Sequence, residues 1–116
     1  MQYSLARGDQ VTRDLERIYD FLFASYVGFG DPPEEADIDA RERVLQIEIA
    51  MEALAAVPHQ GTLHADMLPG LRSVTKDRAI FYFTVDDEAR VVRVLAIFFG
   101  GQDHQRDMLK RLLARD

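Results

Sequence analysis

Two histidines and an aspartate share one loop, and their types suggest chemistry. His59, His64 and Asp66 lie between Pro58 and Pro69. Imidazole and carboxylate together hold transition metals, yet this spacing matches no familiar ligand motif, so we expect no metal. Gly100-Gly101 suggests a phosphate loop. No Lys-Ser or Lys-Thr follows, and the spacing fits neither nucleotide fingerprint, so a bend out of a strand accounts for the pair and no cofactor is expected. Arg72 and Arg78 either pair with acids such as Asp77 or Asp87 on the surface or serve a ligand. Tyr82 sits inside an apolar run and reads as core. The chain has no cysteine, which removes disulfides, thiol nucleophiles and thiolate metal ligation and fits a reducing compartment.

The elements that position these residues must fit within 116 residues, of which 47% are hydrophobic. That is one domain, residues 1–116, with enough apolar content for a real core. No apolar run is long enough to span a bilayer, and no basic segment followed by an apolar block opens the chain. We therefore expect a cytoplasmic protein that does not engage membranes. A net charge of −6 argues against general affinity for polyanions, which depends on cationic contacts to phosphate. The charge is uneven. Asp31 to Glu52 is rich in acids, whereas Gln102 to Asp116 carries Arg106, Lys110, Arg111 and Arg115, which leaves partner binding through one basic face open.

Tyr3 to Leu5 fits a short edge strand. Asp9 is placed to cap a helix in which Val11, Leu15, Ile18, Leu22 and Tyr26 recur at spacings of three and four, widened by Tyr19 and Phe23. Gly28, Gly30, Pro32 and Pro33 end it. A second helix is expected from Glu35 to Val57, with Val44, Ile47, Met51 and Leu54 as its stripe and Leu45 and Ile49 beside it, pairing antiparallel with the first. Its acidic opening, Glu34-Glu35-Ala36-Asp37, suits the positive end of the helix dipole. After an irregular crossing, Leu71 to Val74, Ala79 to Val85 and Val91 to Phe99 read as strands, the last two joined by the hairpin-length connector Asp86 to Ala89. Alternation is weak in these strands, so both faces of their sheet should be covered. A last helix, Asp103 to Ala114, puts Met108, Leu109, Leu112 and Leu113 on one side, which reads as core.

Three segments carry a resemblance. "TRDLERIYDFL" (Thr12 to Leu22), "PGLRSV" (Pro69 to Val74) and "DRAIFYFTVDDEARVVRVLAIFFGGQD" (Asp77 to Asp103) follow one another in the order and spacing of a known family. Over nearly its whole length the chain resembles the RelE/ParE superfamily of type II toxin-antitoxin toxins, often called plasmid stabilisation proteins, and is closer to the ParE branch. The resemblance implies an α+β fold in β-α-α-β-β-β-α order, with a small antiparallel-dominated sheet on a helical hairpin.

Two chemistries occur in that family. Relatives on the RelE side cleave messenger RNA on the ribosome without a metal, using basic side chains that activate the ribose hydroxyl and stabilise the phosphate. For that role the resemblance offers Arg72, Lys76, Arg78 and His104, with Arg93 on the last strand. Arg72 matches an arginine those nucleases use on the same strand, and His104 would serve as acid or base. Where they place an arginine after the last strand, this chain has Gln102, which is neutral. Their C-terminal tyrosine has no counterpart, because the last tyrosine is Tyr82.

Relatives on the ParE side poison DNA gyrase and need no such cluster. Phe99-Gly100-Gly101-Gln102-Asp103 resembles that branch's His-Gly-Ala-Arg-Asp ending, with Gly and Asp retained. The resemblance thus implies a gyrase poison without a catalytic set, held in a hetero-oligomer by a cognate antitoxin from an adjacent gene. The alternatives are an endoribonuclease acting on ribosome and mRNA, or a non-toxic interaction module. Candidate antitoxin- or target-binding residues are Arg72, Phe99, Gln102, Leu109 and Leu113.

Overall fold

The computed structural model describes residues 2–100 and 103–114. Strand β1 spans Ser4–Arg7, helix α1 Val11–Gly28 and helix α2 Pro33–Glu52, which a 3₁₀ turn, Ala53–Ala56, extends. Strands β2 (Thr62–Leu63), β3 (Arg72–Lys76), β4 (Ala79–Asp86) and β5 (Val91–Phe99) follow, and α3 (His104–Leu113) closes the chain. They form one sheet in the order β1-β5-β4-β3-β2. Only β1 pairs in parallel, alongside β5. The expected α+β architecture is present.

Turn chemistry fixes the registers. Asp77 and Arg78 both take positive φ, 51° and 69°, which twists a two-residue loop to match the β3–β4 hairpin it joins. In the β4–β5 connector the Asp86 carboxylate accepts from the Ala89 N–H at 3.0 Å, and Arg90 takes φ 56°. The last strand carries one extra residue. Tyr82 pairs with Ala96 but Phe83 pairs with Val94, so Leu95 is bulged out of the ladder.

Both faces of the sheet are covered, as the weak alternation implies. On the inner face Phe81, Phe83, Val92, Val94, Ile97 and Phe99 meet Val11, Leu15, Ile18 and Leu22 of α1 and Ile47 and Met51 of α2. Full burial of each large side chain here contributes about 1.5–3 kcal/mol. On the outer face Ile80, Tyr82, Ala96 and Phe98 pack with Leu71, Met67 and Leu68 of the preceding loop and with Met108 and Leu112 of α3.

Five details depart from the sequence reading. Asp9 does not cap α1: the N-cap is Gln10, without a side-chain bond, and the Val11 N–H is taken by the Gly8 carbonyl at 3.1 Å. Helix α2 stops five residues before Val57 and tightens into the 3₁₀ turn that buries Leu54. Leu45 and Ile49 do not flank its inner stripe. At 100° per residue they fall opposite Ile47 and Met51, and both are exposed. The crossing holds a short strand, β2, whose two residues are too few to show a period; Gly61 admits it, since a Cβ there would stand 2.3 Å from the Ser73 carbonyl. On α3, Met108 is buried and Leu112 packs against the outer face, but Leu109 and Leu113 remain exposed rather than joining the core.

Candidate functional site

Strand β1 covers only half of β5. Its register ends with Arg7 opposite Val94, and the Gly8 N–H donates to the Val94 carbonyl at 2.7 Å before the chain turns away. A Cβ on Gly8 would stand 2.8 Å from that carbonyl, so glycine suits this close crossing. Beyond it, the outward edge of β5 meets side chains. Asp14 of α1 accepts from the Ile97 N–H at 3.0 Å, and Arg111 of α3 donates to the Leu95 carbonyl at 3.3 Å. The two close on each other through paired bonds of 2.8 and 2.7 Å. The bulge at Leu95 sets this geometry, and Arg111 also lies 5.3 Å from the Phe98 ring centre.

This pair is buried, with side chains 2% exposed for Asp14 and 12% for Arg111. Each charge is satisfied by the other and by the strand edge, as burial requires. The strand's period of two places the Ile97 C=O and Phe99 N–H on the same outward edge, further along.

There the edge opens into a cleft of about 210 Å³ lined by Asp14, Arg17, Ile18, Phe21, Ile97 to Phe99, and Asp107. Phe21 is 55% exposed and lies 6.3 Å from Phe99, ring to ring, at 60°. The guanidiniums of Arg43 and Arg78 approach the Phe99 ring centre to 5.7 and 5.9 Å. Among the described residues, Arg17, Arg43 and Arg78 have no carboxylate in ion-pair range. The Phe21 and Phe99 rings, Arg17 in the lining, Arg43 and Arg78 on the Phe99 ring and an open strand edge suit an extended peptide better than a small molecule, and these three arginines outnumber Asp107, the lining acid outside the Asp14–Arg111 pair, which favours acidic residues in that peptide.

Arg72 lies elsewhere. It donates to the His59 carbonyl at 2.9 Å, and His59 Nε2 lies 2.8 Å from Asp87, which also accepts from the Tyr3 hydroxyl at 2.6 Å. That hydrogen bond lowers the Asp87 pKa and raises that of Tyr3. The cluster joins the start of β1, the loop before β2 and the β4–β5 turn, a pinning role. His64 bonds Ser73 at 2.6 Å, and the described residues contain no group of acids and histidines able to hold a metal.

The outer face carries His104, whose Nδ1 lies 3.0 Å from the Tyr82 hydroxyl. Tyr82 is fully buried, as expected of core, and burial raises its pKa. The pleat separates the cations proposed for cleavage. Arg72 and Lys76 stand opposite Phe83 and Ala79, both inner-face residues, and Arg78 rests on Phe99, whereas His104 is across the sheet. Leu109 and Leu113 are exposed on α3, turned away from the cleft, and Gln102 lies outside the described residues. Of the five binding candidates, the cleft gathers Phe99. Sequence reasoning missed Asp14, Phe21, Arg43 and Arg111; an aspartate on the apolar stripe of a helix, three residues after Val11 and four before Ile18, was the available signal.

Among the solved structures that resemble this chain, two share its overall fold. A chain of the chromosomal ParDE TA system from P. aeruginosa superposes with a TM-score of 0.63 at 24% identity, covering 85% of this chain and 97% of that one. The chain has the RelE/ParE fold. A chain of the toxin-antitoxin complex RelBE2 from Mycobacterium tuberculosis aligns with a TM-score of 0.53 at 17% identity, over 86% of this chain and all of that one. No family model and no curated protein matches the sequence. No helix among the described residues is long and apolar enough to cross a membrane.

Proposed function

We propose that the chain is the toxin of a type II toxin-antitoxin pair, neutralised by an antitoxin encoded beside it, and that the free toxin poisons DNA gyrase. The toxin reading rests on the RelE/ParE fold it shares with the ParDE chain over 97% of that chain's length. The gyrase reading is favoured by the pleat, which keeps Arg72 and Lys76 from joining His104 around a single phosphate. Metal-free cleavage needs such donors preorganised on one developing charge.

In this reading the antitoxin lays an extended, acidic segment into the cleft, against the outward edge of β5, the Phe21 and Phe99 rings and the Arg17, Arg43 and Arg78 rim. Induced expression of the chain alone and together with the product of the adjacent frame tests the proposal. The expected result is growth arrest with lost supercoiling and DNA damage, messages intact, and rescue by the partner. Messages cut at the ribosomal A site with supercoiling unaffected would replace gyrase by the ribosome. Normal growth with no affinity for the neighbouring product would leave an interaction module.

A further inference from the structure

Helix α2 is apolar on two sides. Its inner side, Ala36, Ala40, Ile47 and Met51, is in the core, while Ile38, Leu45 and Ile49, spaced by seven and four, form a second stripe 61%, 56% and 61% exposed. Glu34, Glu35, Asp39 and Glu42 are exposed around that stripe, with no ion pair among the described residues, whereas the nearby Glu48 and Glu52 are matched by Arg7 and Asp37 by Arg41. An isolated exposed apolar side chain is ordinary; three on one helix face, rimmed by unpaired acids, form a patch with a sign.

The opposite side of the molecule carries the complement. On α3, Leu109 and Leu113 are one turn apart and 42% and 73% exposed, with Arg106 on the same face and Lys110 beside it, neither cation in an ion pair among the described residues. Sheet and hairpin separate the stripes within one copy, since α2 packs against the inner face and α3 against the outer. They can meet only between copies.

We propose that this chain associates with itself head to tail, α3 of one copy lying on the outer stripe of α2 of the next, with Leu109 and Leu113 against Ile38, Leu45 and Ile49 and Arg106 and Lys110 against the acids. Pairing α2 with α2 would set acids against acids, and an anionic membrane would repel the same rim. The contact joins different surfaces of two copies, so it does not close at two and species grow with concentration. It uses neither the cleft nor its arginines, so it stands whether or not the toxin reading holds.

The absence of native cysteine makes a direct test available. Full-length Leu45→Cys and Leu113→Cys chains, mixed under mild oxidation, are expected to give mostly the mixed 45–113 disulfide, at least about fivefold over either like pair, and high salt should weaken this preference. Sedimentation velocity of the wild-type chain should show mass rising past the dimer with concentration. Glu42→Arg with Asp39→Arg should abolish that rise, and Arg106→Glu with Lys110→Glu in the second copy should restore it. Equal yields of like and mixed disulfides, or a monomer at every concentration up to the solubility limit, would overturn the proposal. So would a rise that the charge reversal leaves unchanged.

Discussion

The two halves of β5 close their outward edge by different means. From Val91 to Val94 the partner is backbone, the parallel strand β1, and the crossing at Gly8 ends it. From Leu95 onward the partners are the Asp14 carboxylate and the Arg111 guanidinium, and beyond them the edge lies in a cleft with exposed Phe21. A strand edge paired by a strand is finished. One met by two side chains is kept from unsatisfied burial yet leaves room for another chain, and that difference places the candidate site at the end of β5.

The side-chain-closed half is most vulnerable at Asp14. Asp14→Ala leaves the Arg111 charge and the Ile97 N–H without their acceptor in a buried setting, which should cost about 3–5 kcal/mol by chemical denaturation. Arg111→Ala in that background should add much less than it does alone, because the pair is a unit. A strictly additive double variant would mean that the side chains do not close the edge. The backbone-closed half has its own weak point. Gly8→Ala pushes a methyl against the Val94 carbonyl and should cost about 1–3 kcal/mol while leaving affinity for the proposed antitoxin intact.

Much of this molecule was legible beforehand. The β4–β5 hairpin announced itself through two β-branched and aromatic runs around an acidic connector, and α1 through spacings of three and four, because local pattern and tertiary burial agree there. Helix α2 is less legible, since apolar residues on two opposite sides give no single stripe, and Leu45 and Ile49, which the pattern sets beside the inner stripe, face outward. The site was mostly hidden. Asp14 and Arg111 are 97 residues apart in sequence, and only the bulge at Leu95 and the early end of β1 give them a shared task. Arg72, prominent in the sequence, turned out to hold the His59 loop.

A smaller effect separates the outer face from the cleft. Tyr82→Phe removes the bond to His104 and should lower stability by about 0.5–1.5 kcal/mol, with no change in binding at β5. Smaller still are the pH effects of the surface pairs. Hydrogen bonds from Tyr3 and Tyr19 hold the Asp87 and Asp37 carboxyls below their ordinary pKa of 3.8. Each contributes stability above that value that is lost as pH falls through the lowered one. The same bonds raise the two tyrosines above 10.0, so their contribution is present below pH 10 and is lost as pH rises through the raised values. Thermal unfolding from neutral to acid and to strong alkali should therefore show two shallow losses, and Tyr3→Phe should reduce both, since these groups are exposed and screened.

Whether the proposed antitoxin seats on the side-chain-closed half of β5 or at the Arg72 cluster is tested most directly by titrating the purified chain with the product of the adjacent frame. Phe21→Asp, at a half-exposed position, should cost no more than about 1.5 kcal/mol of stability through the lost Phe99 ring contact yet weaken binding by about tenfold or more, a loss of at least about 1.4 kcal/mol. Arg72→Ala should leave the affinity within about twofold, a change of less than about 0.5 kcal/mol. Strong loss from Arg72→Ala with full affinity in Phe21→Asp would contradict this placement and move the site along the inner face to the β3 side of the sheet.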